Sequence, residues 1–401
     1  MKKWMIWILS LCLFLSYIFW LMNVDVKKGA AEYERNHPPV QTSFYDGNAS
    51  ILNDGKSFYS SLITDVENAR HSVSIHFFII RDDDVTRPFF SLLQRKAEEG
   101  VDIRLSVDAV GSDMKGRTIE GLKASGVKFL KSRPVKPERV FYRLHHRNHR
   151  RIIVIDDAIT YIGGFNLGKE YIGKDPDLGY WRDYHLRIEG GVAKEAAIQF
   201  NRDWKEDGGK GKKTSEGKPT IHSGDSRYSL LFNTGGDLEG RMRDWIDGAE
   251  ESLIIATPYF IPTDSLMISL KNAVSRGVDV RILVPDETDA WFTKPPGYKI
   301  EKELLEAGAG VYLYEKGFFH GKVMIIDHQW ADLGTANWDP RSLFLNDESN
   351  CIIEGNKVTE LEQLVLKDME DGRRLSFKDF EEIPLWQKGL EYTPKWVFRY
   401  F

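Results

Sequence analysis

The hydrophobic pattern opens with a run from Trp4 to Val24 that carries no charge and follows Lys2 and Lys3. As a helix, its 21 residues would span ~31 Å, close to the ~30 Å hydrocarbon thickness of a bilayer. Trp4, Trp7 and Trp20 lie near its ends, as in an interfacial aromatic belt. Asp25-Val26-Lys27-Lys28 follows where a signal peptide would have a small-residue cleavage site. The pattern therefore predicts a retained transmembrane anchor over residues 1–24. Lysines at both ends leave its orientation open. Residues 25–45 are polar, contain Pro38-Pro39 and predict a short tether.

Beyond the tether, helical and strand-like periodicities alternate. Phe58, Leu62, Val66 and Ala69 recur at helical spacing, and Val73 to Ile80 is a β-branched and aromatic strand. A helix from Pro88 ends at Gly100, ahead of strand Val101 to Leu105, and Gly126 closes a further helix before strand Val127 to Leu130. The order then repeats. Met242 to Ala249 is helical, Leu253 to Ala256 is a strand, and Ser265 to Ser275 is helical. Gly277-Val278-Asp279-Val280-Arg281 restates Gly100-Val101-Asp102-Ile103-Arg104. The prediction is an α/β protein of two tandem lobes, 46–204 and 225–401, related by a pseudo-two-fold. The stretch 205–224, rich in Gly, Lys, Ser and Thr, is the expected linker.

The repetition is sharpest where the chemistry lies. Asn148-His149-Arg150-Arg151 runs into Ile152 to Asp156 and then Gly163-Gly164-Phe165-Asn166; His320-Gly321-Lys322 runs into Val323 to Asp327 and then Gly334-Thr335-Ala336-Asn337. In both copies a cation follows the His by two residues, an Asp by seven, a Gly by 14 and an Asn by 17. Residues two apart in a strand share a face, so His149 points with Arg151 and His320 with Lys322. Asn166 and Asn337 add amide donors. An imidazole beside a cation and an amide suits a phosphate ester. Two such units facing each other would let one His attack phosphorus while the other handles the proton of the leaving and incoming alcohols. The paired cations and amides would neutralise the non-bridging oxygens. This scheme requires no metal or other cofactor, and no Cys/His cluster has zinc-site spacing.

Asp156 and Asp327, at an odd offset, fall off the His face and predict a supporting or turn-stabilising role. Asp183 and Glu348, each at or just inside a later strand, are candidates to orient an imidazole.

A net charge of −5 gives no global nucleic-acid signature. Of the two cysteines, Cys12 lies in the apolar run, which disfavours a structural disulfide.

The paired H-x-[KR]-x4-D with its following G-[GT]-x-N resembles the phospholipase D superfamily, and more narrowly the bacterial cardiolipin synthases of the minor, single-anchor type. Ile80-Arg81-Asp82-Asp83, Thr257-Pro258-Tyr259-Phe260-Ile261-Pro262 and Asn337-Trp338-Asp339-Pro340-Arg341-Ser342 carry the narrower likeness. The resemblance implies transfer of a phosphatidyl group between two phosphatidylglycerol molecules at a bacterial cytoplasmic membrane, with release of glycerol. It also implies His149, Arg151, Asp156, His320, Lys322 and Asp327 as catalytic positions, with the first His as nucleophile. Arg151 stands where the family pattern has Lys, a planar fork in place of a point charge. A phospholipase D-type hydrolase and a non-enzymatic membrane scaffold remain alternatives; the anchor and the negative charge disfavour a nuclease. Oligomeric state and preferred acceptor are not legible.

Two further stretches bear on the membrane. Lys131 to Arg151 carries eight cations against Glu138, with Phe141, Tyr142 and Leu144 interleaved. It reads as a lip for anionic headgroups or as a solvated basic loop. Trp386 to Phe401 is aromatic and basic, and suits either an interfacial contact or packing against the second lobe.

Overall fold

The computed structural model describes residues 2–211, 224, 226–288, 294–390, 392–393 and 395–400. Most of the expected linker, 212–223, lies outside the described residues. Each lobe is built on one sheet, and the two sheets have the same strand order. In the first lobe, Lys128–Ser132, Asp102–Asp108 and Ser72–Phe77 are parallel neighbours. Ile152–Ile155, Ile159–Gly163, Trp181–Gly190 and Tyr45–Asp54 then follow antiparallel. In the second lobe, Gly310–Tyr314, Asp279–Pro285 and Ser252–Ala256 are parallel, followed antiparallel by Val323–Ile326, Trp330–Gly334, Asp347–Gly355 and Ser226–Thr234. The sheets join edge to edge where Tyr45 pairs with Tyr228.

The short motif strands are buried on both faces, which is why they read as unbroken apolar runs. Ile152 and Val154 enter a central core shared by the lobes, together with Val323 and Ile325. Their odd-numbered neighbours Ile153 and Ile155 pack outward in the first lobe, and Met324 and Ile326 do so in the second. The helices Val192–Glu206 and Asn356–Glu370 contribute Phe200, Trp204, Leu361 and Val365 to the shared layer. The result is sheet against sheet with helices between and outside.

Three expectations need correction. The segment 25–45 is no tether: one helix runs unbroken from Lys2 to Asn36, and Val40–Gln41 pairs with the second lobe's edge strand. Val26, Ala30, Tyr33 and His37 recur at helical spacing, and Val26 is buried against Tyr142 and Tyr400. Asp25 accepts the backbone N–H groups of Phe141 and Tyr142, so this stem is locked to the helix Val140–His145. Pro38-Pro39 ends it, because neither residue can donate a helical hydrogen bond.

Next, half of the basic run is interior. Arg133 pairs with Asp347 (2.8 Å) and Asp207 (3.2 Å), Arg147 with Asp108 (3.3 Å) and Arg150 with Asp203 (2.9 Å). Charges so deep are held only by such partners. Lys131, Lys136 and Arg139 are exposed, beside exposed Val135, Val140 and Leu144.

Finally, Asp156 and Asp327 lie at the far ends of the motif strands from the histidines, at φ of 52° and 50°. Asp156 accepts the backbone N–H groups of Arg70, His71 and Ser72; Asp327 accepts those of Glu250, Glu251 and Ser252. They tie the turn after each motif strand to the start of its neighbour, as the odd offset predicts; what needs correction is the catalytic placement that the resemblance implies, because they do not reach the imidazoles.

The aromatic tail divides. Phe398 and Tyr400 are buried, and Tyr400 donates to Asn23 of the stem (2.7 Å), while Trp386 and Tyr392 are exposed.

Candidate active site

The segment ahead of each motif strand crosses the seam and pairs with the other lobe. Phe318–Phe319 runs parallel to Trp181–Arg182, and the N–H of His320 donates to the carbonyl of Arg182 (2.6 Å). On the other side, the N–H of His149 donates to the carbonyl of Asp347 (2.9 Å). One residue further along each partner strand stands a carboxylate, and each therefore meets the opposite lobe's histidine. Nδ1 of His149 lies 2.8 and 3.0 Å from the carboxylate oxygens of Glu348, and Nδ1 of His320 lies 2.5 Å from Asp183. With Nδ1 so engaged, Nε2 is the nitrogen each ring can offer to a substrate. Glu348 and Asp183 are fully buried. The sequence brought out the two acids but not their exchange between lobes.

The position after the first glycine of the second motif element follows from these carboxylates. Thr335 Oγ1 donates to Glu348 (2.6 Å). Its counterpart is Gly164, where a Cβ would sit 2.1 Å from Asp183 Oδ1. One lobe spends a hydroxyl on its carboxylate; the other leaves room for it.

The cations are placed differently as well. Lys322 Nζ lies 2.7 Å from His320 Nδ1 and 3.9 Å from Asp183. Arg151 donates from Nε to Asn166 Oδ1 (3.0 Å) and from Nη1 to the carbonyl of His149 (2.6 Å). Its guanidinium thus spans Asn166 and the His149 backbone, a link a lysine would not fully replace. Arg151→Lys is expected to keep turnover within about tenfold of wild type. Phosphodiester turnover by the purified variant measures this, and a gain of orders of magnitude would mark Arg151 as an impairment. Asn337 Oδ1 is buried and has no hydrogen-bond partner among the described residues.

Aromatic rings flank the imidazoles, a feature the sequence did not signal. Phe78 meets His149 edge-on at 4.8 Å, and Trp181 is 4.9 Å from His320. This enclosure sets the protonation states. Burial, reinforced by Arg151, Lys322 and Arg341, holds His149 well below the usual imidazole range. Burial and Lys322 lower His320 to about 4, against the opposing pull of Asp183. Both rings are neutral at pH 7. The acids diverge. Burial pushes Glu348 up to about 7; for Asp183 burial is outweighed by Lys322 and His320, and its carboxyl stays below the usual range.

Two histidines, two cations and two amides thus meet at the seam. The family described as "Cardiolipin synthase, PLD-like domain" matches residues 62–204 and 242–369. The chain belongs to the phospholipase D-like cardiolipin synthases. It is 34% identical over 361 residues to a cardiolipin synthase of Alkalihalophilus pseudofirmus, covering 88% of this chain and 72% of that one. It is 34% identical over 388 residues to cardiolipin synthase 2 of Staphylococcus epidermidis, covering 92% and 80%. Among solved structures, a phosphatidylserine synthase of Haemophilus influenzae superposes with a TM-score of 0.69 over 94% of this chain and 100% of that one. At 16% identity, that likeness speaks for the fold alone. Membership makes the chain an enzyme, a phosphatidyltransferase of the phospholipase D superfamily.

Proposed function

We propose that this enzyme forms cardiolipin from two phosphatidylglycerol molecules through a phosphohistidine on His149. The single observation that carries the reading is the pair of imidazoles, each with Nδ1 held by a carboxylate of the opposite lobe and Nε2 left for chemistry.

In the first step, Nε2 of His149 bonds to the donor phosphorus. The P–O bond to the headgroup glycerol breaks, and the leaving oxygen takes a proton from Nε2 of His320, whose ring is neutral at pH 7 and must first gain that proton from solvent. In the second, the primary hydroxyl of another phosphatidylglycerol bonds to phosphorus, its proton returns to His320 and the P–N bond breaks. Asp183 is ionised and so supports the imidazolium that His320 must form in the acid role. Glu348 can share a proton with His149 and balance the positive ring of the phosphohistidine. Arg151 and Lys322, with Asn166 and Asn337, bind the non-bridging oxygens. Asp156 and Asp327 stabilise the motif turns. The working units are the lobes 46–204 and 225–401.

The helix Lys2–Asn36 is the one element among the described residues long and apolar enough to cross a membrane. It supports a membrane location, and on this reading the enzyme is a single-pass protein of the bacterial cytoplasmic membrane, beside its lipid substrate.

The test is incubation of the purified full-length protein with phosphatidylglycerol vesicles. Cardiolipin with an equal amount of glycerol is expected. Phosphatidic acid with glycerol would make water the acceptor and the enzyme a hydrolase, while the absence of turnover would remove the catalytic reading.

A further inference from the structure

The two lobes match in His, cation and Asn but part company four residues after the Asn. The first lobe has Glu170 there and the second has Arg341. Glu170 is buried and committed to Arg81 (2.8 Å). Arg341 is partly exposed. Among the described residues its guanidinium makes one hydrogen bond, from Nη2 to the carbonyl of His145 (3.3 Å), and no ion pair within 4.0 Å. Its backbone is fixed, because Asp339 accepts the N–H groups of Arg341 (2.8 Å) and Ser342 (2.9 Å). A cation held at a catalytic seam with most of its donors unspent is poised for an anion.

Its location says which anion. Arg341 lies close enough to His149 and Glu348 for its charge to act on both. At its tip it touches His145, whose ring is 5.0 Å from Tyr400, and Tyr400 bonds Asn23 of the membrane helix. It thus stands between the imidazoles and the face on which the apolar N-terminal helix docks, the side from which a lipid would arrive. Charge balance points the same way. With the Glu348 charge set against the positive ring of the phosphohistidine, Arg151 and Lys322 against ionised Asp183 leave one positive charge, enough for one phosphodiester. A lipid acceptor brings a second phosphodiester, three carbons from its reacting hydroxyl, into the same low-dielectric seam, where an uncompensated charge is costly.

We propose that Arg341 binds the phosphate of the acceptor lipid and so selects an anionic phospholipid alcohol over water or a simple alcohol. This rests on the transferase reading above and adds the acceptor subsite to it. In the step concerned, the acceptor oxygen bonds to phosphorus, the P–N bond to His149 breaks and the proton goes to His320; Arg341 stays unchanged and holds the second phosphate.

The experiment offers the full-length enzyme phosphatidylglycerol vesicles in buffer containing ethanol and reads cardiolipin, phosphatidylethanol and phosphatidic acid together. Because all three come from one phosphoenzyme, their ratio does not depend on how much of a variant is folded. In Arg341→Gln the ratio of cardiolipin to phosphatidylethanol is expected to fall about 10- to 100-fold. Arg341→Lys, which keeps the charge, should recover part of it. An unchanged ratio in Arg341→Gln, whether or not total turnover drops, overturns the proposal and leaves the transferase reading standing. A wild-type enzyme that makes phosphatidic acid but no cardiolipin overturns both.

Discussion

His149→Ala is expected to lower phosphatidyl transfer by at least about 10⁴-fold, and His320→Ala by a similar factor, since each removes a group that acts as part of a unit. The two variants should nevertheless be distinguishable. The acids beside them have diverged: Asp183 is held ionised and would stabilise the imidazolium that His320 forms in turnover, whereas Glu348 sits near 7 beside a His149 kept neutral by burial and three cations. Separation of that kind is what the proposed roles require, with His149 as the nucleophile and His320 as the acid. A phosphatidyl donor with a nitrophenolate leaving group needs no proton on departure. With it, His320→Ala should show a burst of nitrophenolate matching one phosphoenzyme per active site, while His149→Ala shows none. The reverse pattern would exchange the roles.

The second large effect is on pH dependence. Of the two acids held against the imidazoles, Glu348 is the one whose change of charge falls within the working range, at about 7. Below that value it gains a proton and can no longer balance the positive ring of a phosphorylated His149. The rate of transfer should therefore decline as pH falls through about 7. Glu348→Gln fixes the protonated shape, so that acid limb should vanish and the plateau should drop by about 10³-fold. Asp183 is lowered and already ionised there, so it adds no limb in this range. An unaltered limb in Glu348→Gln would assign the titration to another group.

Much of this architecture was legible because duplication writes the same constraints twice. The matched offsets from His149 to Asn166 and from His320 to Asn337 mark both the strand pairs and the site, and the periodicities locate most of the helices. What was hidden depends on residues far apart in the chain. Arg133 and Arg150 look like surface cations until Asp347 and Asp203 are brought to them, 214 and 53 residues away. The acids Asp183 and Glu348 could be picked out as orienting groups, but their exchange follows from backbone pairing across the seam, which leaves no local signature. The stem is hidden in the sequence for a different reason. Its polar face outweighs the stripe of Val26, Ala30, Tyr33 and His37, and that stripe carries meaning only once Tyr142 is seen against it. Arg341 lies in a passage that carries the family likeness, but its contrast with Glu170 gains meaning only once Glu170 is seen paired with Arg81 while Arg341 makes no ion pair among the described residues.

The exchanged carboxylates also constrain how such a chain can evolve. Neither half holds a complete set of groups: the histidine of each is served by an acid in the other. After the duplication the halves could diverge at Arg341 and Glu170, or at Thr335 and Gly164, but not lose either acid without disarming the opposite histidine. Selection on one half is thus felt in the other. Separately expressed halves would each be inert and would regain turnover only when mixed, as an ancestral pair of identical chains would have had to meet before fusion made the encounter permanent.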